Sequence, residues 1–234
     1  GADPDIMLRG KQGIIAACAI VPEMEAHSNA YGSYGRDGCD QILELRPKQA
    51  NTPYMLVKHI QKVIELACSK NKHLLNHEWL AGSFKEDWGI GGHIHFGVKQ
   101  RPFMVPMLDN FLAAFVTLIE SPEEAIARRQ KKNYGKMGDF RHQAWGFEYR
   151  TLSSWISSPL VALAVLSLAK HIINQFEIED NHIFQDEHLQ TYLELELRPL
   201  HMIHDAGYFA KSYDWLWPMV RSWPTERSLV KGLD

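Results

Sequence analysis

Cysteine is scarce in this chain. Its 234 residues include only Cys18, Cys39 and Cys68, and none of them forms a C-x-x-C pair. An odd, scattered set supplies no disulfide framework and reads as three reduced thiols of a cytoplasmic protein. Charge of one sign is lacking too. Lys and Arg number 25 against 28 Asp and Glu, a net of −3, so no global field exists to hold nucleic acid or an anionic membrane. Long apolar runs are missing: the longest, 159–169, is about half of the ~20 residues a membrane span needs. No signal peptide, internal repeat, low-complexity linker or G-x-x-x-x-G-K-[ST] phosphate loop occurs. With 45% hydrophobic residues the chain can build a real core, and its length suits a single domain spanning 1–234.

Periodicity sets out the elements. Residues 3–8 read as a first strand, with Pro4 tolerated at a strand start or edge. Residues 13–21 read as its returning partner, 22–40 as a loop, and 41–46 as a strand that Pro47 stops. Leu56, Ile60, Val63, Ile64 and Ala67 recur at helical spacing, predicting a helix over 53–70 capped by Asn51 or Thr52 with Pro53 in its first turn. Strands are expected at 73–80, 92–98 and 145–152, helices at 103–120 and 122–132, and a polar loop at 133–142. An apolar helix over 158–176 opens a largely helical remainder. There Tyr208, Phe209, Tyr213, Trp215, Trp217 and Trp223 are expected to pack in the core, with self-association into a homo-oligomer as the alternative. Helices do not alternate one-to-one with strands, which predicts an α+β fold with an antiparallel or mixed sheet.

In a strand, residues i and i+2 share a face. Asp3 with Asp5, Glu44 with Arg46, His93 with His95, and Glu148 with Arg150 are four such pairs. Large apolar residues take the other side at Leu43 and Leu45, Ile94 and Phe96, and Phe147 and Tyr149. A solvated face would favour Thr, Lys, Ser and Gln. Carboxylates and imidazoles suit Mg²⁺ or Mn²⁺, and guanidinium forks suit phosphate or carboxylate. Gathering four carboxylates without cations would be costly, so the face itself predicts bound metal. Each pair alone is weak; a lone HxH is more often structural. A second cluster runs from Arg128-Arg129-Gln130-Lys131-Lys132 into the loop that ends at Arg141. It reads either as a solvated helix end or as a phosphate clamp led by Lys136 and Arg141, ahead of Arg128 and Arg129.

Five segments in order carry a resemblance: Gly1-Ala2-Asp3-Pro4-Asp5; Asp37-Gly38 with Glu44-Leu45-Arg46-Pro47; Gly92-His93-Ile94-His95-Phe96-Gly97; Tyr134-Gly135-Lys136-x-Gly138-Asp139-x-Arg141; and Phe147-Glu148-Tyr149-Arg150. Over about residues 1–160 the chain resembles the phage-encoded COOH–NH2 ligases of type 2, amidoligases of the glutamine synthetase and γ-glutamylcysteine ligase superfamily. The resemblance implies a curved antiparallel sheet, like a glutamine synthetase catalytic domain, with helices on one side and ATP with Mg²⁺ or Mn²⁺ on the other. By motif, Asp3, Asp5, Glu44, His93 and Glu148 would be metal ligands. Asp5 is one methylene shorter than the glutamate common at its place, so the backbone would move in or a water would fill the gap. His95 would meet a phosphate or be a further ligand. Arg46, Arg128, Lys136 and Arg141 would contact the nucleotide, and Arg141 and Arg150 would hold the transferring phosphoryl group. Asp37, just before the Glu44 strand, is the candidate base.

The implied reaction is ATP-dependent amide formation through an acyl phosphate, in the host cytoplasm for a phage product. The partners are ATP, a carboxylate and an amine (small molecule, peptide or protein side chain), without nucleic acid or membrane. Two rivals stand beside it. One is a metal-dependent hydrolase built on the HxH strand. The other is a non-catalytic phage structural or binding protein of the same fold.

Overall fold

A computed structural model describes residues 1–21, 31–37 and 41–178. The helical remainder expected beyond residue 178, its aromatic residues and Cys39 lie outside the described residues. The strands are β1 Ala2–Gly10, β2 Gly13–Ile15, β3 Ser33–Arg36, β4 Leu43–Arg46, β5 Glu78–Leu80, β6 Phe84–Lys85, β7 Trp88–Gly89, β8 Gly92–Phe96, β9 Phe140–Gln143 and β10 Gly146–Tyr149. The helices are α1 Pro53–Lys70, α2 Met104–Met107, α3 Ala114–Leu118, α4 Pro122–Lys131 and α5 Pro159–Ile178, with a π-helical run Leu108–Ala113 joining α2 to α3.

Eight strands form one sheet in the order β3-β4-β1-β8-β10-β9, with β2 and β5 paired to β1 off that path. All its described pairings are antiparallel, as expected for an α+β chain. β1 is the long central strand. Its first half lies between β4 and β8, and its second half between β2 and β5. Pro4 is therefore inside the sheet rather than at an edge. The Asp5 N–H bonds Gly91 O at 2.9 Å, so the missing N–H of Pro4 falls on the β4 side, where the ladder begins only at Asp5 and Ile6.

The apolar face packs on helices. Ile6, Leu8, Leu43, Leu45, Ile94, Phe147 and Tyr149 share one buried cluster with Leu56, Ile60 and Val63 of α1 and Ala162, Val165 and Ile172 of α5. α1 begins where its residues predict: Thr52 Oγ1 accepts from Met55 N at 3.3 Å and Pro53 takes the first turn. α4 starts in the same manner at Ser121, with Glu123 and Glu124 in its first turn and Arg128, Arg129 and Lys131 in its last. The apolar helix over 103–120 is interrupted by the π run, which carries Asp109 to the Tyr149 hydroxyl at 2.7 Å.

Several expectations shift. The strand over 13–21 stops at Ile15 and gives way to a 3₁₀ turn at Ala17–Ala19. The loop over 22–40 contains β3, and the loop over 133–142 runs into β9. Both are short outermost strands of the path, with few apolar residues. The strand over 73–80 is a 3₁₀ turn, Lys72–Asn76, followed by β5, and the β6–β7 hairpin was not anticipated. Among the described residues, no helix is long and apolar enough to cross a membrane.

Ile60 is wholly buried between α1 and the sheet. Ile60→Ala is expected to cost about 2–5 kcal/mol, read as a lower urea midpoint with an unchanged slope.

Candidate functional site

Antiparallel register turns four separate pairs into one surface. Asp3 lies opposite His93, Asp5 opposite Glu44, and Glu148 opposite both His95 and Arg141. Residues directly opposite in a ladder present side chains on the same face. The face opposite the apolar core thus carries Asp3, Asp5, Glu44, Arg46, His93, His95, Arg141 and Glu148, with Arg150 just past β10.

Asp3, His95 and Glu148 each offer one ligand atom, and these atoms lie within 4.8 Å of one another. His95 Nε2 is 3.1 Å from Asp3 Oδ2. His93 Nδ1 is 3.3 Å from both Asp3 Oδ1 and Glu148 Oε1. Asp3 Oδ1 and His95 Nε2 are nevertheless buried without a hydrogen-bond partner. Atoms that face one another closely without bonding geometry are placed as donors aimed at a common point are. An oxygen–nitrogen–oxygen donor set of this kind fits Mn²⁺ or Mg²⁺. The histidine in the group is His95, and His93 stands between the two carboxylates.

A second acidic group lies across β1. Asp5 is 1% exposed, accepts the Gly91 N–H at 2.8 Å through Oδ2, and receives the Ser154 hydroxyl at its carbonyl. Burial, with the Asp37 and Glu44 charges, pushes its carboxyl well above the ordinary range. Glu44 is pushed up to about 7, by burial first and then by the Asp3 charge, against the opposing pull of Arg46. Asp37 thus adds its charge to this group from the end of β3. The first group behaves oppositely. Burial raises Asp3 and Glu148, but His93 and His95 outweigh it at Asp3, and Arg141 and His93 at Glu148, so both carboxyls lie low.

Guanidiniums surround the carboxylates. Arg141 Nε and Nη2 donate to Glu148 Oε2 at 2.9 and 2.6 Å, and Arg150 Nη1 donates to Oε1 at 2.9 Å. The Arg141 side chain stays 58% exposed, within reach of a ligand. Arg46 pairs with Glu44 and donates to Arg36 O at 3.1 Å. It can lie across β3 because position 35 is glycine: a Cβ there would come within 2.2 Å of its Nη1. Lys136 is exposed on the loop, and its carbonyl accepts the Thr151 hydroxyl at 2.9 Å.

Arg128 departs from the expected nucleotide contact. It is wholly buried, and its Nη1 and Nη2 donate to Thr151 O and Leu152 O at 2.9 and 2.8 Å. The guanidinium is thus committed to the chain's own carbonyls and to the Tyr134 ring, 4.3 Å away. Arg129 likewise donates to Gly135 O and Ala125 O. Sequence reasoning assigned no role to Tyr134, whose Oη is 2.5 Å from His93 Nε2, or to Trp145, whose ring centre is 5.3 Å from that of His95. It also passed over Gln143, which donates to Glu148 at 3.2 Å, and Asp139, 3.7 Å from Arg150. β9 supplies Gln143, so recognising that strand would have found it.

The face joins clustered carboxylates and imidazoles, the donor types of cation sites, to guanidiniums, the donor type of anion sites. The family model described as phage phiEco32-like COOH.NH2 ligase-type 2 matches residues 1–202, and the chain belongs to this family. Its description is that of a phage carboxylate–amine ligase. No curated protein matches the sequence.

The charge pattern has a pH signature. A carboxyl raised in the folded state binds protons more tightly than the unfolded chain, so its contribution is present below the ordinary carboxylate range and is lost as pH rises through about 7 for Glu44. Asp3 and Glu148, held low, contribute stability above that range that is lost on acidification. In the presence of a chelator, the melting temperature should fall between pH 5 and 8 by on the order of 5–10 °C. Glu44→Gln should flatten this slope; an equal slope in that variant would contradict the assignment.

Proposed function

We propose that the chain is an ATP-dependent carboxylate–amine ligase that works with Mg²⁺ or Mn²⁺ through an acyl phosphate. The observation that carries this reading is the Asp3–His95–Glu148 group, with two orphaned buried donor atoms, directly beside Arg141 and Arg150. An antiparallel sheet with helices on one face and charge on the other supports a glutamine synthetase-like catalytic domain.

In this reading Asp3, His95 and Glu148 would hold one divalent cation, and Asp5 and Glu44 would face a second. When bound, the cations neutralise charge on the transferring phosphoryl group. The carboxylate substrate attacks the γ-phosphorus, the bond to the β-phosphate oxygen breaks, and ADP leaves. Arg141 and Arg150 stabilise the moving phosphoryl group, while Arg46 and Lys136 contact the nucleotide. The amine then attacks the acyl carbon and phosphate departs. Asp37 accepts the amine proton, and its charge already reaches Asp5 and Glu44. ATP as co-substrate places this work in the cytoplasm, the host's for a phage protein. The same donor set would also suit a hydrolytic metal, but the ring of guanidiniums and the ligase family favour phosphoryl transfer.

ADP release, screened over carboxylates and amines with Mg²⁺ and Mn²⁺, tests the proposal. Glu148→Gln and Arg150→Ala should each lower turnover by at least ~10²-fold with the fold retained. Unchanged ADP release in both would contradict it. Arg141 allows a sharper separation, because it occupies the carboxylate that the cation requires. Arg141→Ala should bind Mn²⁺ more tightly without nucleotide, yet bind ATP more weakly when Mn²⁺ is saturating. Titration calorimetry reads both, and parallel changes would contradict this arrangement.

A further inference from the structure

The loop after α4 is bent so that a single side chain reaches the back of the site. Asn133 and Gly135, on either side of Tyr134, both adopt positive φ, 54° and 68°. The turn drives the Tyr134 ring inward beneath the buried Arg128 guanidinium. Two glycines make the space. A Cβ at Gly91 would come within 2.1 Å of Tyr134 Oη, and one at Gly135 within 1.9 Å of Arg128 Nη1. Arg128 is fixed in turn by the carbonyls of Thr151 and Leu152, in the segment that follows β10. The result is a rigid path from Arg128 through the Tyr134 ring to His93, whose ring meets that of Tyr134 edge-on at 82°.

Both ring nitrogens of His93 face polar atoms. Nε2 is 2.5 Å from Tyr134 Oη, and Nδ1 is 3.3 Å from each of Asp3 Oδ1 and Glu148 Oε1. A lone pair on Nδ1 would face two carboxylate oxygens and be repelled by both. A proton on Nδ1 is attracted to both. In a neutral ring that proton leaves Nε2 as an acceptor, and the tyrosine hydroxyl is the donor beside it.

We infer that Tyr134 is a positioning residue, whose hydroxyl at Nε2 holds the His93 imidazole between Asp3 and Glu148, so that the two carboxylates keep the spacing their shared cation with His95 requires. The inference rests on the metal reading above. It makes His93 the holder of two ligands, and leaves His95 as the nitrogen donor. A hydrogen bond to the far nitrogen is a common way to fix a histidine's orientation at a metal site.

Tyr134→Phe removes only the hydroxyl and keeps the ring on Arg128. Two measurements on the full chain test the inference. In the metal-free wild type, ¹⁵N NMR of His93 should show a protonated Nδ1 and a hydrogen-bonded acceptor Nε2, and in the variant the Nε2 resonance should move to that of a nitrogen without a hydrogen bond while Nδ1 stays protonated. Mn²⁺ affinity, read by electron paramagnetic resonance, should fall roughly 10- to 100-fold in the variant, the range seen for outer partners of metal ligands. An unprotonated Nδ1 in the wild type, or a Mn²⁺ affinity within about two-fold of wild type in the variant, overturns the inference while leaving the metal reading intact. A wild type that binds no Mn²⁺ overturns both.

Discussion

The pairing of β1 with a different neighbour on each side is the constraint on which the site depends. On one side Asp3 lies opposite His93, and on the other Asp5 lies opposite Glu44. Because side chains alternate with a period of two, a slip of one residue would send these carboxylates into the apolar core. The segment after β10 closes the register from outside. Gly91 bridges Ser153 and Gly82 bridges Ser154, the Ser154 hydroxyl donates to Asp5 O, and Trp155 Nε1 donates to Gly92 O at 2.8 Å. Glycine at 92 is obligatory for that closure, since a Cβ would come within 2.6 Å of Ser153 O. The backbone that carries the charged face is thus held by strands and by this segment together.

Charge on the face is balanced unevenly, and this imbalance is what makes it chemically useful. Glu148 is surrounded by donors from Arg141, Gln143 and Arg150. Asp5 and Glu44 have less positive charge nearby and retain protons more readily than ordinary carboxyls. Cations entering such a face would replace protons on one side and arginines on the other. An arginine displaced from Glu148 is then free to meet an anion. In the proposed reading, binding of cation and of phosphate would be linked through the same carboxylate, as a reaction in which both act on one phosphoryl group would require.

Much of this was legible in the residues. Alternation alone identified the four charged pairs, and in three of the four strands the opposite positions are large and apolar, at Leu43 and Leu45, Ile94 and Phe96, and Phe147 and Tyr149. The helix over 53–70 was legible for the same reason, from its stripe and its Thr52–Pro53 start. β3 and β9 were not, because Ser33–Arg36 and Phe140–Gln143 lack alternation strong enough to mark a strand. Arg128 misled for a physical reason. A cation near a helix end reads as solvated or ligand-binding, and only the fold brings the Thr151 and Leu152 carbonyls and the Tyr134 ring to its guanidinium. The proposed division of labour between His93 and His95 was equally hidden, since only the fold brings Tyr134 to His93 and gathers His95 with Asp3 and Glu148.

The central claim is that Asp3, His95 and Glu148 hold a divalent cation beside Arg141 and Arg150. Diffraction at the manganese absorption edge, from crystals grown with Mn²⁺ and a non-hydrolysable ATP analogue, tests it most directly. The account predicts an anomalous peak at coordination distance from all three side chains, with Arg141 turned from Glu148 toward the γ-phosphate. Manganese located elsewhere, or a nucleotide bound away from this face, would contradict it.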